Sequence, residues 1–241
     1  MAYELYYWPS IQGRGEFVRL TLEEAGADYV DVARNPAMGG VRALLALLAD
    51  ESLARPPFAP PFLRSDGMLI AQTANILDYL GGRHGLTPRD EAARRWTLQL
   101  QLTIADLLVE VHDTHHPIAA SLYYEDQQPE AVRRSADFVR NRLPKYLDYF
   151  ERVLRLNSER STHLVGNELT YVDLSLFQVI EGARYAFPRT LAKITRRCPR
   201  IMALHDGVAA RPRIAAYLAS ARRLPFSEQG IFRHYAELDV A

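Results

Sequence analysis

Up to residue 83 the apolar positions fall in short clusters, strand-like and helix-like in turn; beyond residue 88 they recur at helical spacing over long stretches. Residues 3–8, Tyr-Glu-Leu-Tyr-Tyr-Trp, are aromatic-rich and bounded by Pro9, which predicts a buried strand ending at a turn. After a loop over residues 10–13, Phe17, Val18, Leu20, Leu22 and Ala25 predict a helix stopped at Gly26, and residues 29–32 a second short strand. Parallel strands need a crossover, so residues 3–32 are most simply a right-handed βαβ unit. A short amphipathic helix is expected over residues 42–49, between Gly39-Gly40 and a proline-rich connector over residues 55–61. Residues 63–80 then read as a hairpin turning at Asp66-Gly67, fed directly into a helix with Ile76, Leu77 and Leu80 on one face. The resulting order β-α-β-α-β-β-α makes a small mixed sheet flanked by helices.

Strand signals nearly vanish after Gly81-Gly82. Residues 90–116 predict one long helix ended by Pro117; the alternation of Leu98, Leu100, Leu102 and Ile104 alone suggests a strand, but length and flanking charge decide for helix. Residues 130–156 predict a second long helix with a kink or break at Pro144. Thr170 followed by Asp173 resembles a capping box with Asp in place of Glu, opening a helix so apolar that it should form the buried centre of the second half. Two short helices beginning at Pro199 and Pro212, and a terminal helix over residues 226–238, complete the expected elements. The predicted fold class is α/β in residues 1–83, a linker over 84–88, and an all-α helical domain over 89–241.

Composition narrows the function classes. A chain of 241 residues with 48% hydrophobic content can bury a sizeable core, and 29 Lys+Arg balance 29 Asp+Glu. That balance offers no global electrostatic case for nucleic acid or an anionic membrane, and pairs such as Arg94-Arg95, Arg196-Arg197 and Arg222-Arg223 are expected on the solvated surface. Neither a leader nor an apolar run of ~20 residues stands out, so a soluble cytoplasmic protein is expected. The lone Cys198 excludes an intramolecular disulfide and a cysteine-based metal cluster, and its setting between Arg197 and Pro199 reads as incidental rather than nucleophilic.

A hairpin feeding a helix at Gln72 and Thr73 aims the helix's first N–H groups at one spot, a ready anion site. With Tyr7-Trp8-Pro9 and Gly13-Arg14 after the first strand, Pro61 before Asp66-Gly67, Gln72-Thr73 opening a helix, and Gly166, Thr170 and Asp173 in the second half, the chain resembles the cytosolic glutathione transferases over nearly its whole length. The resemblance implies a thioredoxin-like N-terminal domain that binds glutathione as co-substrate, a helical domain holding a small apolar electrophile, and a homodimer.

It also implies roles for particular residues. Tyr7 would donate a hydrogen bond to the glutathione thiolate, although it also reads as one more strand aromatic beside Tyr3 and Tyr6; Ser10 is the rival donor, and Arg14 would support the active-site hydroxyl. Gln72 and Thr73 would hold the γ-glutamyl carboxylate, and Asp106 would face the neighbouring subunit's glutathione. The Pro60-Pro61 bond is expected to be cis, presenting the Pro60 backbone to the ligand's cysteinyl part. Here the chain departs from the family pattern: Pro60 has no N–H to donate and Ala59 lacks the amide side chain often found there, which keeps open a second reading, a non-catalytic glutathione-binding or interaction protein on the same fold. Trp8, Ser10, His112 and His116 are candidates for the electrophile pocket. His112, His115 and His116 fall at i, i+3 and i+4 near Asp113; a satisfied or exposed helix end is favoured over a metal site, and no metal is expected.

Overall fold

The structure, a computed structural model, describes residues 2–159 and 162–240. Its first half carries β1 (Tyr3–Tyr6), α1 (Gly15–Ala25), β2 (Tyr29–Asp31), α2 (Gly40–Leu48), β3 (Phe62–Ser65), β4 (Met68–Ala71) and α3 (Thr73–His84). The strands form one mixed sheet in the order β2-β1-β3-β4, with β1 parallel to β2 and antiparallel to β3, and β3 antiparallel to β4. Alternate strand residues feed opposite faces, as the period of two requires. Tyr3, Leu5 and Leu63 pack with Val18, Leu22, Ile76 and Leu80 of α1 and α3, whereas Tyr6 and Phe62 pack with Leu44 of α2. The order of elements predicted from the pattern is the order observed.

The second half is helical: α4 (Glu91–Asp113), α5 (Gln128–Asp137), α6 (Leu143–Leu156), α7 (Tyr171–Ala186), α8 (Pro188–Ile194), α9 (Pro199–Ala209) and α10 (Pro212–Leu218). The α4 leucine alternation is resolved by helical geometry: Leu100, Ile104, Leu107 and Val111 are buried at spacings of three to four, with Leu108 buried beside them, while Leu102 is left half-exposed. The Asp90 carboxylate caps this helix through the Ala93 N–H, and the helix ends at Asp113 rather than at His116.

The expected long helix over residues 130–156 is interrupted by a π-helical turn at Phe138–Arg142, immediately before Pro144. Proline removes a backbone donor and crowds the carbonyl four residues back, and a widened turn relieves both. Residues Tyr171–Ile180 of α7 are all buried, so this helix is the centre of the helical core. Its start is held by Asp173, whose carboxylate accepts from the Thr170 N–H at 2.7 Å, the Thr170 hydroxyl at 2.9 Å and the Leu164 N–H at 2.8 Å.

Two expectations are corrected. Residues 226–238 form no α-helix; a single 3₁₀ turn at Ala236–Leu238 is the regular structure there. The segment is fixed by packing instead: Phe232 lies so close over Gly182 of α7 that a Cβ there would come within 2.3 Å of the ring. Arg223 is not solvated surface, because its side chain is 9% exposed and bonds to the buried Glu16 carboxylate at 2.6 Å. The sheet half and the helical half share a core, with Phe17, Leu20 and Leu77 packed into the helical cluster. No described helix is long and apolar enough to cross a membrane.

Candidate active site

Strand β1 ends at Tyr6, and Tyr7 follows it into the loop that leads to α1. Its side chain is buried and its ring lies under two glycines, Gly13 and Gly15. A Cβ on Gly13, which has φ of 45°, would fall 2.0 Å from the phenolic oxygen, so only glycine admits the ring in this pose. The backbone N–H of Arg14, at the N-terminal end of α1, donates to the Tyr7 oxygen at 2.8 Å. Among the described residues nothing accepts the Tyr7 O–H proton, which is left for a ligand.

Burial pushes the Tyr7 hydroxyl above the ordinary phenolic value; the Arg14 N–H and the Arg14 and Arg19 guanidinium groups pull the other way more weakly. The group is therefore a proton-bearing donor at neutral pH, positioned beside a helix N-terminus that favours negative charge nearby. Ser10 lies in the same loop and is exposed.

The second cluster forms at the junction of β4 and α3. Gln72 adopts φ of 69°, a left-handed conformation rare outside glycine, while its carbonyl accepts the helical bond from Ile76 N–H at 2.9 Å. The next side chain, Thr73, has a buried hydroxyl oxygen with no hydrogen-bond partner among the described residues. Both residues line a cavity of about 350 Å³ that also receives Arg14, Asp78 and, from α4, Gln101 and Leu102. Gln101 is buried with its Oε1 likewise without a partner. Asp78 bonds Arg94 at 2.9 Å and so ties α3 to α4 across the base of this cleft.

Of the residues singled out in the sequence, the cavity thus brings together Arg14, Gln72 and Thr73, and the Arg14 backbone links them to Tyr7. Pro60 is half-buried and the Pro60–Pro61 bond is cis, as expected. Trp8 is 36% exposed, and neither it nor Ser10 lines this cavity. Asp106 is exposed on the outer face of α4, away from the chain's own cleft lining. His112 and His116 also lie outside the cavity lining, although the Arg14 charge reaches His112; burial holds His112 near pKa 4 and His115 near 3.

Cys198 is buried, and burial pushes its thiol up to about 11, which keeps it an inert thiol. Sequence reasoning missed Gln101, whose signal was a single amide on the apolar face of α4, and Gln12. The latter accepts from Gln178 Nε2 at 2.8 Å, linking the Tyr7 loop to α7.

Comparison with known proteins agrees with this geometry. The family model described as "Glutathione S-transferase, C-terminal domain" matches residues 112–221. The chain is 26% identical over 226 residues to glutathione S-transferase P 1 of Xenopus laevis, covering 92% of this chain and 93% of that one. It is also 26% identical over 223 residues to glutathione S-transferase alpha I of Oryctolagus cuniculus, covering 91% and 90%. The solved structure of a Pi-class glutathione S-transferase from Onchocerca volvulus superposes with a TM-score of 0.72 at 20% identity, over 95% of this chain and 99% of that one, so the fold is shared end to end. The four-stranded mixed sheet, the all-helical second half and these relatives together show that the chain is similar to the glutathione transferases over nearly its whole length.

Proposed function

We propose that this chain is a glutathione transferase of the tyrosine type, which activates the glutathione thiol for attack on a small apolar electrophile. The observation that carries the reading is the unpartnered, buried Thr73 hydroxyl beside the positive-φ Gln72, at the N-terminus of α3 and open to a cleft shared with Arg14. The α-carboxylate of a γ-glutamyl group satisfies that hydroxyl and the first N–H groups of the helix together. The Gln101 Oε1 across the cleft is an acceptor suited to the accompanying ammonium.

A glutathione thiol titrates near a free cysteine, at about 8.5, so most of it is protonated at neutral pH. A hydrogen bond donated to the sulfur by Tyr7 favours the thiolate by about 1.5–3 kcal/mol. The α1 N-terminus contributes roughly 0.3–1 kcal/mol more. Together these lower the thiol pKa by about one to three units at ~1.36 kcal/mol per unit, which makes thiolate abundant without a separate base. The thiolate then forms the bond to carbon, either expelling a leaving group with its electron pair or adding to an activated double bond that afterwards takes up a proton.

The finer assignments belong to the same reading. Residues 1–83 hold glutathione and residues 89–241 hold the electrophile, with 84–88 between them. The protein is cytoplasmic, serves detoxification, and works as a homodimer that binds neither nucleic acid nor membrane. The dimer is supported by Phe58, 92% exposed, and by the outer stripe of α4 where Leu102 and Val109, each about half exposed, flank Asp106. A non-catalytic binder explains Pro60 equally well but gives no purpose to a free Tyr7 proton donor.

The test is a melting scan with glutathione followed by a conjugation assay with a chromogenic electrophile. A rise in Tm at millimolar glutathione and saturable turnover are expected. The absence of any shift overturns the reading, and a shift without turnover leaves the binder.

A further inference from the structure

At the C-terminal end of α4 three imidazoles converge, that of His112 in its last turn and those of His115 and His116 just beyond, with one ring nitrogen from each lying within 4.8 Å of the others. The backbone fixes them there: the His115 and His116 N–H groups both donate to the His112 carbonyl, at 3.2 and 3.1 Å, and the Thr114 hydroxyl donates to the Val111 carbonyl at 2.7 Å. His115 is 1% and His116 9% exposed, so two of the three are held by surrounding packing as well.

The hydrogen bonds determine which nitrogen faces the cluster. His115 Nε2 lies 2.8 Å from the Ile231 carbonyl, which only accepts, so Nε2 carries the proton and Nδ1 presents a lone pair. That Nδ1 points at the Nδ1 of His116, 2.5 Å away. Two such nitrogens can share one proton at most. The outward N–H bonded to a backbone carbonyl, with the other nitrogen bare and turned inward, is the arrangement that orients histidine on a metal.

We propose that His112, His115 and His116 form a three-nitrogen site for a divalent transition-metal ion, with a further coordination position open. Tetrahedral coordination at about 2.0–2.1 Å per Zn–N bond sets ligand nitrogens roughly 3.3–3.4 Å apart, a span between the observed closest approach and the cluster's full width. Small rotations of the His112 and His116 rings bring all three onto one ion, and His116 moves its proton from Nδ1 to Nε2 as it binds.

The donor set selects the ion. Three neutral imidazoles without a carboxylate suit Zn²⁺, Co²⁺, Ni²⁺ or Cu²⁺ and exclude Mg²⁺ and Ca²⁺, which take oxygen ligands. Arg14 and Arg233 act on the cluster as positive charges and Glu125 as a negative one. The two guanidinium groups favour an anion at the open position. The site stands on the last turn of α4, the two residues His115 and His116 beyond it and the Ile231 carbonyl, and does not depend on glutathione binding.

Zn²⁺ titrated calorimetrically into the untagged, metal-free protein is expected to bind at one equivalent per chain, with affinity at least tenfold lower in His112→Ala and in His116→Ala. Co²⁺ is expected to give the intense visible bands of a four-coordinate ion in the parent protein. His234→Ala, outside the cluster, should keep full binding, and Mg²⁺ should not compete. No saturable equivalent of Zn²⁺, or a Co²⁺ spectrum of six-coordinate solvent type, overturns the assignment without any variant having to fold; so does binding that persists in both alanine variants.

Discussion

The Arg14 backbone N–H donates to the Tyr7 hydroxyl at 2.8 Å, joining the end of the first strand to the start of the first helix. One contact thereby occupies an acceptor lone pair of the phenol and leaves its proton directed elsewhere. The glycines at positions 13 and 15 make this contact possible, since a side chain at either would collide with the ring.

Tyr7→Phe should lower the conjugation rate more than tenfold while leaving the fold intact. Its structural cost is the Arg14 N–H left without its partner, about 1–3 kcal/mol where water cannot reach it. Ser10→Ala, an exposed change, should leave the rate unaltered. Steady-state rates and thermal melts of the two variants check this; loss in Ser10→Ala with normal turnover in Tyr7→Phe would transfer the role.

Thr73→Val separates binding from stability. The Thr73 hydroxyl is buried without a partner among the described residues, so an isosteric methyl should leave the free protein as stable or slightly more so. Glutathione binding should weaken, with KM for glutathione rising about tenfold for a lost charge-assisted bond of roughly 1.5–3 kcal/mol. A melt without ligand and a titration with it read the two effects independently.

Glu16 is the hub of the join between the two halves. Its fully buried carboxylate accepts from Tyr217 at 2.6 Å, Arg223 at 2.6 Å and Arg19 at 3.2 Å. Glu16→Ala leaves two arginines without this partner, a change that typically destabilises by about 3–5 kcal/mol. Tyr217→Phe removes one neutral donor and should cost about 0.5–3 kcal/mol. Chemical denaturation of both variants tests the ranking.

Acid stability should depend on Glu110. Hydrogen bonds from Arg142, then Tyr146 and Arg134, hold its carboxyl well below the ordinary value, at about 2, against the opposing effect of burial. The folded state binds the proton less readily than the unfolded chain, so this contribution is complete above the unfolded value of 4.5 and is lost as pH falls from there towards 2. Glu110→Gln should be less stable at neutral pH and show a shallower loss of stability across that window, measured by denaturation at stepped pH.

Phe58→Ser should shift the protein towards monomer. Its ring is 92% exposed on a single chain, which makes it a candidate contact of the proposed homodimer. Sedimentation at several concentrations gives the result; an unchanged mass distribution removes Phe58 from the interface.

Much of the fold was legible because it is written in local chemistry. The alternation of short strands with α1, α2 and α3, the turn at Asp66-Gly67 and the Thr170 and Asp173 cap depend on residues within a few positions of one another. The hairpin running directly into a helix at Gln72-Thr73 was legible for the same reason. The terminal segment was misread as a helix because its aromatic spacing fits one, whereas Phe232 is held by Gly182 and His115 by Ile231, contacts no local period encodes. Arg223 was misread as surface for want of its partner Glu16, more than two hundred positions earlier.

The sequence by itself determined the order of elements, the change from sheet to helices after residue 83 and the candidate residues Tyr7, Gln72 and Thr73, because periodicity, turns and caps act between near neighbours. Only the tertiary structure decided which of those residues share a cleft, that Gln101 lines it with Thr73, and that one ring nitrogen from each of three histidines lies within 4.8 Å of the others. Those facts depend on how α1, α3, α4 and the C-terminal segment pack. Long-range packing selects burial and partners for each polar group, and it is burial and partners that turn a residue type into a donor, a ligand or an inert side chain.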